Sequence, residues 1–410
     1  MKEVEFLINA MGRQPGEKAA DLDNFNHRTA QEVQNFHRSL TGYSPSPLHD
    51  LTELSRCLGL GRIWLKDESR RFGLNAFKVL GGSYAMGRYL AEKIGTELSV
   101  LGFEGLRTAQ ARAKTGILTF VTATDGNHGR GVAWTAKELG HRAVVFMPKG
   151  SAQIRADNIR ATGAQCHITE LNYDDAVRLA DSYASEHGGV MVQDTAWEGY
   201  KDIPLWIMQG YMTLTQEILD HFAAVRESGP THVFLQAGVG SFAGAVLGRL
   251  TSALGPDSFK TVIVEPHQAN CYYRSFLASD GSPKNVGGQM ETIMAGLACG
   301  EPSILSWPVI RDYSAAAVSC ADHIAANGMR ILAAPKPGDP QVISGESGAV
   351  TAGVLEYLVT REPETAASLG LGPDSKVLLI STEGDTSPGI YRQIVWYGQH
   401  PDSERKWENA

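Results

Sequence analysis

Residues 75–85 read Asn-Ala-Phe-Lys-Val-Leu-Gly-Gly-Ser-Tyr-Ala, a stretch in which Lys78 is the one charged residue. Burial of a lysine amine is costly, because desolvation disfavours its charged form. The simpler interpretation is a lysine that extends from an apolar helix face to water. The alternative is an amine kept neutral so that it can attack a carbonyl carbon and form a Schiff base. The other motifs of the chain favour this alternative.

A strand is predicted before Lys78 and a helix after it. Residues 63–68 read Ile-Trp-Leu-Lys-Asp-Glu, an apolar run that ends in charge, and residues 75–78 open the helix. The N-terminus of a helix is the positive end of its dipole, which lowers the pKa of an amine placed there. We therefore expect the pKa of Lys78 to be lowered.

Short apolar runs rich in β-branched residues alternate with helix-like stretches along the chain. Nearly continuous apolar strands indicate a sheet that is covered on both faces. Their alternation with helices predicts βαβ units, a parallel sheet and an α/β fold. The predicted strands are residues 117–122, 143–148, 190–193, 232–236, 261–265 and 376–380.

Composition limits the classes of function. The chain has 410 residues, with 43% hydrophobic and 20% charged residues, which is sufficient for a sizeable core. A formal net charge of −8 argues against nucleic acid or an anionic membrane as the main partner. No apolar run approaches the length of a membrane span, and the first residues do not resemble a signal peptide. We expect a cytoplasmic protein with no membrane or nucleic-acid partner.

The five cysteines do not indicate a metal site. They are spread along the chain without a CxxC pair, and their number is odd. A zinc site and a secreted disulfide framework are therefore disfavoured, and no metal is expected. The spacing of Cys271 and Cys299 leaves open whether these two residues meet.

Residues 122–131 read Thr-Ala-Thr-Asp-Gly-Asn-His-Gly-Arg-Gly and lie between a predicted strand and a predicted helix. Turns at the carboxyl edge of a parallel sheet bind ligands, and helix N-termini bind anions. The exposed N–H groups of residues 124–127 are therefore expected to suit a carboxylate or a phosphate. Asp125 would repel that anion, so it is either a helix cap, the simpler interpretation, or a proton-transfer group.

Three further turns carry polar residues at predicted strand ends. Residues 236–244 contain Gly238, Gly240 and Gly244, a spacing that is typical of a phosphate cradle but also of tight helix packing. Residues 343–349 and 379–386 supply hydroxyls and carboxylates. For Glu346 and Asp385 a capping role is as well supported as a functional one.

In this order, the motifs resemble those of the fold-type II family of pyridoxal phosphate (PLP) enzymes. Residues 65–68 and 76–78 are similar to the family's LKxE and SFKxRGA segments, and residues 125–129 to its SxGNHxxG segment. Residues 238–241 resemble the glycine loop, and residues 381–385 the segment near the pyridine nitrogen. The resemblance spans about residues 40–390 and implies two open, twisted, mostly parallel sheets flanked by helices, with the cofactor between a large and a small domain.

The resemblance also implies roles for individual residues. Lys78 is expected to form the Schiff base with PLP, and Asn127 to contact the 3-hydroxyl group of the cofactor. Ser381 or Thr382 is expected to face the pyridine nitrogen. The residues expected to hold the phosphate are Gly238, Val239, Gly240 and Ser241, and those expected to bind the substrate are Thr124, Asp125 and Gly126.

Residues 285–288, 292–302 and 344–350 are similar to one subfamily, the 2,3-diaminopropionate ammonia-lyases. The dehydratases of the family usually have a small apolar residue in place of Asp125. The subfamily resemblance implies that Asp125 acts as a base on the D isomer and Asp194, together with Lys78, on the L isomer. The small amino acid would then lose two ammonia molecules and yield pyruvate.

The expected large domain consists of residues 1–82 and 211–410, and the small domain of residues 83–210. A homodimer is expected, as is common in the family. A serine or threonine dehydratase on the same fold is the nearest alternative. A binding protein without catalysis and a nucleotide-binding Rossmann protein are less well supported, because neither explains Lys78 beside a glycine loop.

Overall fold

The structure, a computed structural model, describes residues 2–13 and 19–402. The strands are β1 (Val4–Ile8), β2 (Leu48–Asp50), β3 (Arg62–Asp67), β4 (Thr119–Ala123), β5 (Arg142–Met147), β6 (Gln165–Ile168), β7 (Val190–Met191), β8 (His232–Gln236), β9 (Lys260–Pro266), β10 (Ala316–Cys320) and β11 (Lys376–Ser381).

The α-helices are α1 (His27–Arg38), α2 (Thr52–Cys57), α3 (Val79–Ile94), α4 (Leu98–Leu106), α5 (Ala109–Thr115), α6 (Asn127–Leu139), α7 (Gln153–Arg160), α8 (Tyr173–His187), α9 (Asp202–Val225), α10 (Ser241–Leu254), α11 (Cys271–Ala278), α12 (Ser306–Tyr313), α13 (Asp322–Ala333), α14 (Glu346–Arg361), α15 (Pro363–Leu369) and α16 (Pro388–Val395). Within the described ranges, no helix is long and apolar enough to cross a membrane.

The strands form two separate sheets. A seven-stranded sheet has the order β1-β10-β9-β8-β11-β3-β2, and a four-stranded sheet has the order β6-β5-β4-β7. The inner strands of the larger sheet are parallel. Its edge strands are antiparallel to their neighbours, β1 to β10 and β2 to β3. The smaller sheet is parallel throughout. The predicted α/β fold with two mostly parallel sheets is confirmed.

The smaller sheet takes its strands from one continuous part of the chain, residues 119–191, and the larger sheet takes its strands from both sides of that part. The domain boundaries expected from the sequence, after residues 82 and 210, fall inside helices α3 and α9. These helices pack closely, since a Cβ atom at Gly210 would lie 2.5 Å from the backbone oxygen of Leu80. A larger residue at position 210 would therefore separate them.

A buried group of charges links β3 to α9. Lys66 Nζ lies 2.6 Å from Glu217 Oε2, and both side chains are 1% exposed. Arg71 completes the group, with Nη2 2.8 Å from Glu217 and 2.7 Å from Glu68. Burial raises the pKa of Glu217, but Arg71 and Lys66 outweigh burial and lower it to about 2. The group fixes the segment that leads from β3 to Lys78 against the long helix α9.

Replacing Glu217 with alanine is expected to lower the free energy of unfolding by about 3–5 kcal/mol, because buried Lys66 loses its carboxylate partner and Arg71 loses one of its two. Urea denaturation measures the change. The control is Glu32→Ala, which removes an exposed partner of Arg28 (3.9 Å) and is expected to cost less than about 1 kcal/mol. Equal effects of the two variants would contradict a structural role for the buried group.

Candidate active site

A cavity lies where strands of both sheets end. Its walls come from the turns after β4, β7, β8 and β11 and from the residues that precede α3. The carboxyl edges of parallel strands are the usual ligand-binding edges of α/β sheets. Ten of the residues predicted from the sequence line the cavity, namely Lys78, Thr124, Asp125, Asn127, Asp194, Gly238, Val239, Gly240, Ser241 and Thr382.

Lys78 and Asp194 form an ion pair at the base of this cavity. The pair joins Lys78 Nζ to Asp194 Oδ2, and the side chains are 17% and 3% exposed. The other carboxylate oxygen of Asp194 accepts a hydrogen bond from the Tyr173 hydroxyl (3.2 Å). The ammonium group of Lys78 also lies near the aromatic rings of Phe77 and Tyr211, 5.6 Å and 5.9 Å from their centres.

The expected direction of the pKa shift of Lys78 is wrong. Burial lowers its pKa, as we expected, but the Asp194 carboxylate outweighs burial and raises the pKa above its ordinary value. Burial likewise raises the pKa of Asp194, and Lys78 and His128 lower it to about 2. The Asp194 carboxylate therefore stabilises the charged form of Lys78, and Lys78 in turn stabilises the ionised form of Asp194.

Asp125 does not cap α6, so the simpler interpretation of this residue is wrong. The helix begins at Asn127, and its N-cap residue is Gly126, which has no side chain that could cap the helix. The Asp125 carboxylate instead accepts a hydrogen bond from Arg155 Nη1 (2.9 Å). Glu346 lies 3.8 Å from the other terminal nitrogen of Arg155, and α14 likewise has no side-chain cap.

Asn127 faces the turn after β11. Its amide nitrogen donates a hydrogen bond to Glu383 Oε2, and Glu383 Oε1 accepts a second hydrogen bond from the backbone N–H of Ser347 (3.2 Å). Glu383 is 1% exposed, and burial raises its pKa. Asn127 is therefore held in a fixed orientation at the cavity wall.

The glycine loop joins β8 to α10. Gly240 has φ +90°, and a Cβ atom there would lie 1.9 Å from the Tyr272 hydroxyl, so this position requires glycine. Within the described part of the chain, the N–H groups of Gly238, Val239 and Gly240 have no recorded acceptor. These groups lie at the N-terminus of a helix, which is a favourable place for a phosphate.

Two of the predicted residues do not line the cavity. The hydroxyl of Ser381 is fully buried and donates to Ser344 Oγ (2.8 Å), whereas Thr382 lines the cavity and accepts a hydrogen bond from Gln236 Nε2 (3.1 Å). Gly126 lies against Arg155. Of the two hydroxyls expected near the pyridine nitrogen, that of Thr382 is the accessible one.

The site contains residues that the sequence analysis did not select, notably Arg155, Tyr173, Ser347 and Glu383. Arg155 lies beside Ala156 on the buried face of α7, and this burial is visible only in the folded chain. Tyr173 opens α8 and gave no signal that distinguishes it from a core residue. Glu383 and Ser347 occur in the quoted motifs, but the motifs do not show that these side chains line the cavity.

The residues of the cavity fit a ligand with a phosphate and a polar aromatic ring. The glycine loop offers free N–H groups, and the aromatic ring would meet Asn127 and Thr382. Three buried atoms of lining residues have no hydrogen-bond partner within the described residues, namely Ser347 Oγ, Gln236 Oε1 and His128 Nδ1. Buried polar atoms are normally satisfied, so these atoms indicate a polar ligand.

The chain is similar to known proteins over almost its whole length. The family model described as pyridoxal-phosphate dependent enzyme matches residues 40–383. The diaminopropionate ammonia-lyase of Salmonella typhimurium is 54% identical over 399 residues, 97% of this chain and 98% of that protein. The Escherichia coli K12 enzyme of the same name is 51% identical over 380 residues, 92% of this chain and 93% of that protein.

Solved structures agree with this similarity. The crystal structure of the Escherichia coli enzyme in complex with D-serine has a TM-score of 0.90 and 46% identity, and it covers 97% of this chain and 98% of that one. Its complex with an aminoacrylate-PLP azomethine reaction intermediate has a TM-score of 0.88 at the same identity and coverage. The chain therefore belongs to the family of pyridoxal-phosphate-dependent enzymes, together with the diaminopropionate ammonia-lyases.

Proposed function

We propose that this protein is a PLP-dependent ammonia-lyase that converts D- and L-2,3-diaminopropionate into pyruvate and ammonia. The observation that carries the proposal is one cavity in which Lys78 is accompanied by two separate carboxylates, Asp125 and Asp194. The two isomers of the substrate present their Cα protons on opposite faces, so an enzyme that accepts both needs two bases. The near full-length similarity to diaminopropionate ammonia-lyases supports the same reaction.

The cofactor would be held by residues from the turns of both sheets. Lys78 would attach it covalently, the N–H groups of residues 238–241 would bind its phosphate, Asn127 would bind its 3-hydroxyl group, and the Thr382 hydroxyl would meet its pyridine nitrogen. When bound, PLP withdraws electrons from Cα and so makes the Cα proton removable. Everything else in the site serves to orient the substrate and to move protons.

The two bases are arranged as independent pairs. Asp194 is paired with Lys78 and takes the Cα proton of the L isomer together with it. Asp125 is held by Arg155 and takes the Cα proton of the D isomer. A fixed partner gives each carboxylate one orientation, which is what a general base requires. The substrate carboxylate binds at Thr124 and Asp125, which line the cavity beside the start of α6, whereas Gly126 does not.

The reaction itself tests the proposed function. The purified protein with PLP should release two ammonia molecules for each pyruvate from either isomer of diaminopropionate, measured by coupled assays of both products. Faster release of ammonia from serine or threonine than from diaminopropionate would favour the alternative dehydratase activity. Asp125 argues against that alternative, since a dehydratase has no evident use for it.

Borohydride reduction of the holoenzyme should fix the cofactor to Lys78, because this is the one lysine that lines the cavity among the residues that the structure describes. Mass spectrometry of proteolytic peptides identifies the modified residue. Lys66 is the matched control, since it is also buried but pairs with Glu217 outside the cavity. A label on Lys66 or elsewhere would contradict the proposed attachment site.

Asp125→Asn should lower kcat/KM for D-diaminopropionate by at least about 100-fold, the usual loss of a general base, with a much smaller effect on the L isomer. Asp194→Asn should affect the L isomer more strongly than the D isomer. Steady-state kinetics with the separate isomers measures both ratios. Equal losses on the two isomers in the Asp125 variant would refute the division of work between the bases.

We also infer a homodimer in the cytoplasm, with PLP between a large domain (residues 1–82 and 211–410) and a small domain (residues 83–210). The resemblance to fold-type II enzymes supports the assembly and the domains. The five cysteines, all of them free, support a reducing location. Light scattering of the holoenzyme tests the assembly, and a monomeric mass would contradict it.

A further inference from the structure

The Ser347 hydroxyl is a buried polar group that lacks a partner. Ser347 is 4% exposed and lines the cavity, and its Oγ atom makes no hydrogen bond within the described residues. An unsatisfied buried hydroxyl costs free energy, so its presence at a cavity wall indicates contact with a ligand. The backbone N–H of the same residue is already bonded to Glu383.

Glu383 lines the cavity without a direct cationic partner. Its two recorded donors are neutral amides, those of Asn127 and Ser347. Among the described residues, no lysine or arginine nitrogen lies within 4.0 Å of its carboxylate. Burial raises the pKa of Glu383, although the more distant Arg155 opposes that effect. A cationic ligand group would stabilise the ionised carboxylate.

The cluster around Glu383 has a surplus of carboxylates. Arg155 is bonded to Asp125 at 2.9 Å and lies 3.8 Å from Glu346. One guanidinium group therefore lies beside two carboxylates, while a third, Glu383, lies close enough to affect the pKa of Arg155. Burial and the neighbouring Glu383 raise the pKa of Glu346 to about 7, as expected where like charges crowd. The cluster can accept a second positive charge.

Gly296 leaves space beside these groups. A Cβ atom on this residue would lie 3.1 Å from Ser347 Oγ and 3.7 Å from Asp125 Oδ2. The distance to Ser347 is tighter than an ordinary contact, so the absence of a side chain keeps this part of the cavity open. Gly296 itself lines the cavity.

We propose that the Glu383 carboxylate and the Ser347 hydroxyl, beside Gly296, form a subsite for the second ammonium group of a diamino acid. This inference rests on the proposed function, and it identifies the β-ammonium group as the part of the substrate that the subsite recognises. The β-amino group is held protonated, and its C–N bond breaks with both electrons passing to nitrogen, which leaves as ammonia. The electron pair released by removal of the Cα proton forms the Cα–Cβ double bond. Serine carries a neutral hydroxyl at this position and gains no ion pair.

Glu383→Gln tests the subsite, because glutamine removes the charge but retains an oxygen that can accept the hydrogen bond from Asn127. The kcat/KM for both isomers of diaminopropionate should fall by about 10- to 100-fold, the usual loss of a charge-assisted hydrogen bond. The dissociation constant of D-serine, measured by titration of the cofactor absorbance, should change by less than about threefold. Glu346→Gln, which removes a carboxylate of the same cluster outside the cavity lining, should reduce kcat/KM less than Glu383→Gln does.

Ser347→Ala is a second variant, and it removes only an unpartnered hydroxyl, so the fold should not suffer. Its kcat/KM for diaminopropionate should fall by about 3- to 10-fold, the usual value of a neutral hydrogen bond, with unchanged binding of D-serine. Equal losses for diaminopropionate and D-serine in both variants would overturn the subsite and leave only a structural role. If the unmodified holoenzyme released no ammonia from diaminopropionate, the proposed function itself would fail, which is a different result.

Discussion

The ion pair between Lys78 and Asp194 is the interaction on which the site depends. Lys78 follows a strand of the larger sheet, and Asp194 follows a strand of the smaller one, so the pair joins the two halves of the fold at the cavity. Each partner compensates the burial of the other, since an isolated buried charge is strongly unfavourable. Ser241 strengthens the junction, because its hydroxyl donates a hydrogen bond to the backbone oxygen of Asp194. The glycine loop and Lys78 are thus fixed relative to each other by one residue, Asp194.

The opposite wall of the cavity is organised by Arg155. This guanidinium group orients Asp125 and lies beside Glu346, while Glu383 lies close enough to affect its pKa. The two walls therefore differ in charge balance. On one wall a lysine and an aspartate neutralise each other, and on the other wall one arginine is shared among several carboxylates. A substrate with two ammonium groups fits this asymmetry, because one amine approaches the cofactor and the other meets the surplus negative charge.

Local sequence patterns were sufficient to predict the α/β fold and the polar turns at the cavity, and the family resemblance selected ten of the residues that line it. The apolar strands and the polar turns after them are local features, and parallel strands bring such turns to one edge. The sign of the pKa shift of Lys78 was not predictable in this way, because it depends on a carboxylate 116 residues away. The role of Asp125 at its turn was ambiguous for the same reason, since Arg155 belongs to another helix. The unpartnered hydroxyl of Ser347 is likewise visible only when the surrounding chain is in place.

We propose that Lys78, paired with Asp194, holds PLP in this cavity for reaction with a diamino acid. The visible absorption spectrum of the purified holoenzyme, recorded before and after addition of diaminopropionate, is the sharpest test. An absorption band from the lysine-bound cofactor should appear, change on addition of the substrate and return when the substrate is consumed. A colourless protein after incubation with PLP, or a spectrum that diaminopropionate does not alter, would rule out this role of Lys78 and the cavity.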